Sequence, residues 1–312
     1  MSDERGDAVV AIDPASAKVV ARYAPLRRPR GLALSPDGRT LYVAVSGSPI
    51  GGPGVDESKL PPADVTRHGV AVIDLERGAV TRTLKAGSDP ETFVLSPDGR
   101  TLYVSNEDAG AVSAVPVNGL APPRTAPVGD EPEGVAVTRD GARLFVACEG
   151  SDRVVVLDVQ SLRQIATFPV AGRPRGVLAA RDGRAIYVTV ENAGVLAILP
   201  ASGSGPVRLV DLAEGDRAVR PMGMVEAANG HLFVTAGRSG QLLEIDPAAG
   251  RVVRRIAGVG ARPWGVTIGP DGRRLVTANG PSGDVTFVDL ASGALGARLK
   301  VGVSPWGVLS SR

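Results

Sequence analysis

The chain has 312 residues, 43% of them hydrophobic but only 4% aromatic, with 40 Gly and 25 Pro; this mix suits many short strands and tight turns and leaves little room for long helices. A formal net charge of +2, with basic and acidic residues interspersed, provides no electrostatic footprint for nucleic acid or anionic lipid. Cys148 is the single cysteine, which excludes an internal disulfide and a thiolate metal cluster, and no stretch approaches the ~18 apolar residues of a membrane span. No nucleic-acid partner and no membrane insertion are therefore expected.

The chain starts at Met1-Ser2-Asp3-Glu4, which lacks the basic and apolar regions of a signal peptide. Two strand-like runs follow, VVAID (9–13) and VVARY (19–23). Next comes Pro29-Arg30-Gly31, and its pattern returns at Pro90-Glu91-Thr92, Pro132-Glu133-Gly134, Pro174-Arg175-Gly176, Pro221-Met222-Gly223, Pro263-Trp264-Gly265 and Pro305-Trp306-Gly307. Successive starts are 61, 42, 42, 47, 42 and 42 residues apart, a period that belongs to propellers and solenoids.

Each unit repeats one order. In the clearest copy the tripeptide opens a strand (92–95), and Ser96-Pro97-Asp98-Gly99 makes a tight hairpin in which Pro presets φ and Gly permits φ > 0. A second strand of LYVSN type (102–106) leads through a polar loop to a third and a fourth. Related second strands are LYVAV (41–45), LFVAC (144–148) and IYVTV (186–190), rich in the β-branched and aromatic residues that strands favour. Four short strands per unit make one propeller blade. The expected fold is all-β: a seven-bladed β-propeller, 1–312 as a single domain.

The last unit stops after its first strand, WGVL (306–309), while 9–13 and 19–23 supply a third and a fourth strand. Joined in one blade, the two ends close the ring and remove the sheet edges that invite association, so a monomer is expected. Aligning Ser2 to Gly6 with Ser105 to Ala109 places Met1 near the end of a second strand whose earlier residues are absent. The expectation is a chain trimmed at its start, just after an export signal. The first interval exceeds the others because of an insertion, 46–68, whose Gly, Pro and charged residues exclude a strand. A loop this long within a compact repeat is functional or disordered.

These strands, the SPDG turns and the run VVAIDPASAKVVARY (9–23) resemble the YVTN-repeat β-propellers, bacterial proteins with a seven-bladed fold that are often exported. The similarity spans nearly the whole chain. The segments 89–110, 131–137, 173–176 and 304–309 are similar to β-propeller proteins associated with pyrroloquinoline-quinone-dependent catabolism. The resemblance implies a periplasmic or extracellular setting and an accessory role near a quinoprotein pathway.

In a propeller of this order the residue opening each first strand shares a face with the loop after the second strand. That face gathers a ring, Arg30, Glu91, Glu133, Arg175, Met222, Trp264 and Trp306, which has a polar half and an apolar half. Around it the loops bring Asn106, Glu107, Glu149, Glu191, Asn192, Arg238 and Asn279. Arginine forks and Trp faces suit a small amphipathic ligand. The carboxylates suit a hard cation, and both signs together suit mutual ion pairing. His68 and His231 fall on different faces, which disfavours a His-based metal site or a Ser-His-Asp triad. No CxxCH motif attaches haem, and the sequence names no cofactor. The reading these observations favour is a non-catalytic binding or scaffold propeller that holds a small ligand, a metal ion or a protein partner. The alternative is a metal-assisted hydrolase or lyase of the propeller lactonase kind, with Glu91, Glu133 and Glu149 as the available acid–base groups.

Overall fold

A computed structural model describes residues 1–51, 56–215 and 218–311; residues 52–55 of the insertion lie outside the described residues. Six sheets of four antiparallel strands follow one another along the chain, each in simple sequence order. They span residues 32–84, 90–127, 132–169, 174–211, 221–257 and 263–300. A seventh, closing blade is built from Ser2–Asp3, Ala8–Asp13 and Lys18–Tyr23 together with the C-terminal segment. Ser2 N donates to Gly307 O at 2.9 Å, Trp306 N to Ser2 O at 2.9 Å and Glu4 N to Ser304 O at 3.0 Å, so both ends of the chain meet in this blade. The seven-bladed fold expected from the repeat is thus the fold observed. Among the described residues, no helix is long and apolar enough to cross a membrane.

The sheets stand face to face around an axis, and each interface has its own apolar core. Seven buried clusters occur, one between each pair of neighbouring blades. Second and third strands are covered on both faces, which explains runs such as Arg153–Asp158 (RVVVLD) that are apolar at successive positions rather than alternately. Fourth strands form the rim and remain largely exposed, as in Ala79–Leu84. Cys148 lies fully buried in one of the clusters, and burial pushes its thiol up to about 12, so it packs as a small hydrophobe.

The glycine ending the opening tripeptide has a packing role. A Cβ on Gly176 would lie 2.6 Å from Met222 O, one on Gly265 2.8 Å from Trp306 O, and one on Gly307 2.8 Å from Arg30 O. Gly134 and Gly223 meet the carbonyls of Arg175 and Trp264 in the same way. Each inner strand thus rests on the backbone of the next blade, and Gly307 against Arg30 completes the circle. Thr92 replaces glycine once, and its Oγ1 donates to Glu133 O at 2.5 Å. Second strands add a hydroxyl clasp: Ser105 donates to Glu133 O at 2.6 Å, Thr189 to Met222 O at 2.7 Å, and Ser2 to Arg30 O at 2.7 Å.

One expectation needs correction. WGVL (306–309) does not form a regular strand: beyond an isolated bridge at Pro305 to Asp3, only Trp306 and Gly307 bond to Ser2 and residues 308–311 belong to no strand, because the second strand they would pair with is only two residues long. The insertion 46–68 forms no strand among its described residues, as expected, and holds two short 3-10 turns, Glu57–Lys59 and Val65–Arg67.

Candidate functional site

One face of the ring opens into a cavity of about 1090 Å³. Arg30, Glu91, Arg175, Trp264 and Trp306 of the expected ring line it, with Glu107, Glu149 and Glu191 from the loops after second strands. None of the SPDG turns reaches it. Glu133 and Met222 lie deeper, in a narrower channel of about 310 Å³ that shares Arg175 and both tryptophans with the upper cavity. From the insertion, Ser48 to Gly51 and Leu60, Pro61 and Ala63 overhang the mouth.

The residue before each tripeptide proline was not foreseen as a site position. Arg28, Asp89, Glu131, Arg173, Arg220 and Arg262 all adopt positive φ, between 42° and 69°, and all line the cavity. Left-handed backbone is uncommon for residues other than Gly. Here it turns a charged side chain back over the mouth just before proline fixes the next strand. The signal was present in the sequence, since six of the seven prolines are preceded by a charge.

Two ion-pair groups fill the polar half. In the first, the buried Arg30 donates to Glu91 Oε1, to Asp89 Oδ1 at 2.5 Å and to Glu107 Oε2 at 3.4 Å, while Arg28 donates to Glu4 Oε1 at 3.2 Å. Four carboxylates face two guanidiniums. His68 stands behind, its Nδ1 accepting from Asp89 N at 2.6 Å. In the second, Arg175 donates to Glu133 Oε1 at 2.5 Å and Glu191 Oε2 at 3.0 Å and lies 3.4 Å from Glu149 Oε2. Arg173 and Arg220 reach Glu149 and Glu191 from the rim.

Protonation follows from this crowding. Burial raises Glu91 and Glu133 well above the usual glutamate range, more than Arg30 and Arg175 lower them, and the like charges of Glu107 and Glu149 add to the rise. Burial also acts on Glu149, but a hydrogen bond from Glu133 and the charges of Arg175 and Arg173 outweigh it and hold Glu149 low. Glu149 Oε2 is buried and accepts from no N–H or hydroxyl among the described residues, which leaves it free to accept from a protonated Glu133. The two neighbouring carboxyls are thus shifted in opposite directions.

On the apolar half, the rings of Trp264 and Trp306 stand 6.1 Å apart at 59°, and the Arg262 guanidinium lies 5.5 Å from the centroid of Trp264. The buried Trp264 Nε1 has no hydrogen-bond partner among the described residues.

Other expected site residues fall elsewhere. Asn106 is fully buried and donates to Ser113 Oγ at 2.9 Å, and Asn279 donates to Asp284 Oδ1 at 2.9 Å; both brace their blades instead of facing the cavity. Strand alternation explains the miss, since the last residue of the second strand points between blades. Arg238 is exposed and does not line the cavity, whereas Asn192 receives Arg220 Nη1 at 2.9 Å at its rim. His231 pairs with Glu244 at 2.8 Å, away from the mouth. Among the described residues no group of three or more His, Cys, Asp or Glu is arranged to hold a metal ion, and the carboxylates considered for a hard cation are engaged by Arg30 and Arg175.

No protein-family model matches the sequence, and no curated protein sequence does. Solved structures do. The periplasmic gluconolactonase PpgL of Pseudomonas aeruginosa is 27% identical, with 96% of this chain and 93% of that one covered at a TM-score of 0.75. Kuenenia stuttgartiensis hydrazine synthase is 23% identical over 93% and 91%, at 0.78. A Bacteroides fragilis protein assigned as a 6-phosphogluconolactonase is 18% identical over 96% and 92%, at 0.74. The likeness to a gluconolactonase over nearly the full length overturns the non-catalytic scaffold reading in favour of its enzymatic alternative.

Proposed function

We propose that the protein is a hydrolase of lactones, small cyclic esters, working within the central cavity through its own carboxyl groups. The feature that carries this is the Glu133–Glu149 pair, two carboxyl groups gathered around Arg175 whose proton affinities are shifted in opposite directions, Glu133 up by burial and Glu149 down by Glu133 and the arginines. Neighbouring carboxyls driven apart in proton affinity are a general acid and a general base. Glu149 takes a proton from water as its oxygen attacks the lactone carbonyl. The tetrahedral oxyanion is met by rim arginines, with Arg173 and Arg220 the nearest half-exposed donors. When the ring C–O bond breaks, Glu133 gives its proton to the departing oxygen, and the Glu133–Glu149 hydrogen bond returns the proton gained by Glu149. The product is an open hydroxy acid. Trp264 and Trp306 supply an apolar wall for the lactone ring.

The repeat pattern supports membership of the YVTN-repeat propellers, with the segments of PQQ-associated type as the narrower relation. The periplasmic gluconolactonase, together with that resemblance, supports a periplasmic setting and a small-molecule substrate. Continuous titration of the acid released from glucono-δ-lactone and from other δ- and γ-lactones tests the activity. The expected result is turnover above the spontaneous rate, reduced ~10²–10⁴-fold in kcat by Glu133→Gln and by Glu149→Gln, with thermal unfolding of both variants still cooperative. A panel of lactones all opening at the buffer rate rejects the proposal.

A further inference from the structure

The central channel changes character below its charged entrance. First strands run from the mouth toward the face of the SPDG turns, so successive residues line successive levels of the channel. Glu133 and Arg175 stand at the first level, beside Trp264 and Trp306. At the second, the tripeptide glycines contribute backbone alone, and Thr92, which replaces one of them, turns its hydroxyl to Glu133 O. The third level is apolar in every blade, from Leu32 in the first through Phe93 and Val135 to Val308 in the closing one. Leu32, Val177, Met224 and Val308 stay half-buried there, which leaves apolar surface uncovered inside the molecule.

We propose that this channel is a subsite for an unbranched alkyl chain on the lactone, so that the substrates are alkyl-substituted lactones and the products hydroxy fatty acids. The inference rests on the hydrolase reading, which fixes how the ring enters. Glu149, which activates the water, lines the upper cavity and not the channel, whereas Glu133, which protonates the departing ring oxygen, lines the channel and not the upper cavity. The carbonyl carbon therefore faces the upper cavity and the ring oxygen faces the channel.

The position of the chain follows from that orientation. The carbon bonded to the ring oxygen carries the alkyl group in γ-alkyl lactones, and a chain on it continues down the channel past the glycine level to the apolar one. A chain on the carbon beside the carbonyl points away from it. A polyol chain in the same place would lose water from its hydroxyls without gaining partners, because among the described residues the only hydroxyl side chain of the wall is Thr92, already bonded to Glu133 O. Each methylene of an alkyl chain leaves water for an apolar wall and strengthens binding.

The test uses γ-alkyl γ-butyrolactones from methyl to hexyl, with the α-hexyl isomer and glucono-δ-lactone for comparison, and follows the acid released. Separately, the matching γ-hydroxyalkanoates are titrated against the fluorescence of Trp264 and Trp306, the two tryptophans of the chain, both in the channel wall. The expected result is a kcat/KM that rises about 4-fold with each added methylene of the γ-chain, and hydroxy acids that bind more tightly in the same progression. The α-hexyl isomer is expected to show no gain. Val177→Phe, which fills the channel, is expected to remove the rise in both measurements while its thermal unfolding stays cooperative. Turnover that is flat along the series, equal for the α- and γ-hexyl isomers, or best with glucono-δ-lactone overturns the subsite and leaves the hydrolase reading standing. If no lactone opens, the hydrolase reading falls; binding that still tightens with chain length and is lost in Val177→Phe then supports the apolar subsite by itself, and binding indifferent to chain length overturns it as well.

Discussion

Arg175 is in contact with Glu133, Glu149 and Glu191, each largely buried, and so balances three carboxyl groups at once. Removing one partner of a buried ion pair costs about 3–5 kcal/mol because the other charges remain desolvated. Arg175→Met is expected to lose stability in this range in urea unfolding at pH 7 and less at pH 5, where protonation relieves the carboxylates. The parent protein has its own pH dependence. Glu91 and Glu133 are raised by burial above the ~4.3 of an unfolded glutamate, so between that value and their folded values the native state holds the extra protons. Their contribution is complete below about pH 4 and is lost as pH rises through the raised values. Urea midpoints from pH 4.5 to 8 should show this decline, and Glu133→Gln should flatten it. A slope unchanged in that variant would mean Glu133 titrates normally. Residue identity at the tripeptide centres was readable from spacing alone; protonation was not, since it depends on carboxylates such as Glu107 and Glu149 that arrive from separate loops.

At the scale of the strand, the inner ring is held by backbone contacts that tolerate no side chain. Gly176→Ala would set a Cβ 2.6 Å from Met222 O and 3.0 Å from Thr189 Oγ1, and that carbonyl is already held by the Thr189 hydroxyl at 2.7 Å. Overpacking of this kind costs about 1–3 kcal/mol. Thr189 Oγ1 accepts from Gly176 N at 2.9 Å and donates to Met222 O at 2.7 Å, so Thr189→Ala should cost about 1–3 kcal/mol while Thr189→Ser stays near the parent. Thermal unfolding of the three variants reads both effects, and equal losses for Ala and Ser at 189 would show that the methyl group, not the hydroxyl, matters. The strands themselves were legible because SPDG turns and apolar runs are local signals; Gly38 and Gly99 adopt φ of 70° and 71° at the turns where left-handed backbone was expected. Short first strands such as Leu32–Leu34 and the irregular 306–311 segment were harder to delimit, since pairing partners rather than propensity set their ends.

For the whole molecule, closure rests on Asp3. It is fully buried, and its Oδ1 accepts from Val303 N at 3.0 Å and Ser304 N at 2.8 Å, holding the tail of the chain against the head. Asp3→Ala removes two partly buried hydrogen bonds to a carboxylate, a loss of about 3 kcal/mol. The expected outcome is a lower Tm together with early proteolytic cleavage near both ends; a parent-like melt and digest would place closure elsewhere. The blade count and the face that gathers the opening residues were determined by the amino-acid sequence alone. A period near 42 residues and the backbone demands of Pro, Asp and Gly act within a single blade and need no knowledge of its neighbours. Only the tertiary structure decided that Arg30 pairs with Glu91 and Arg175 with Glu133, that the charged residues before the prolines turn over the mouth, and that Asn106 and Arg238 stay out of it. Those partners come from adjoining blades, and their charge states depend on distances and burial across the interface, which no repeat pattern encodes.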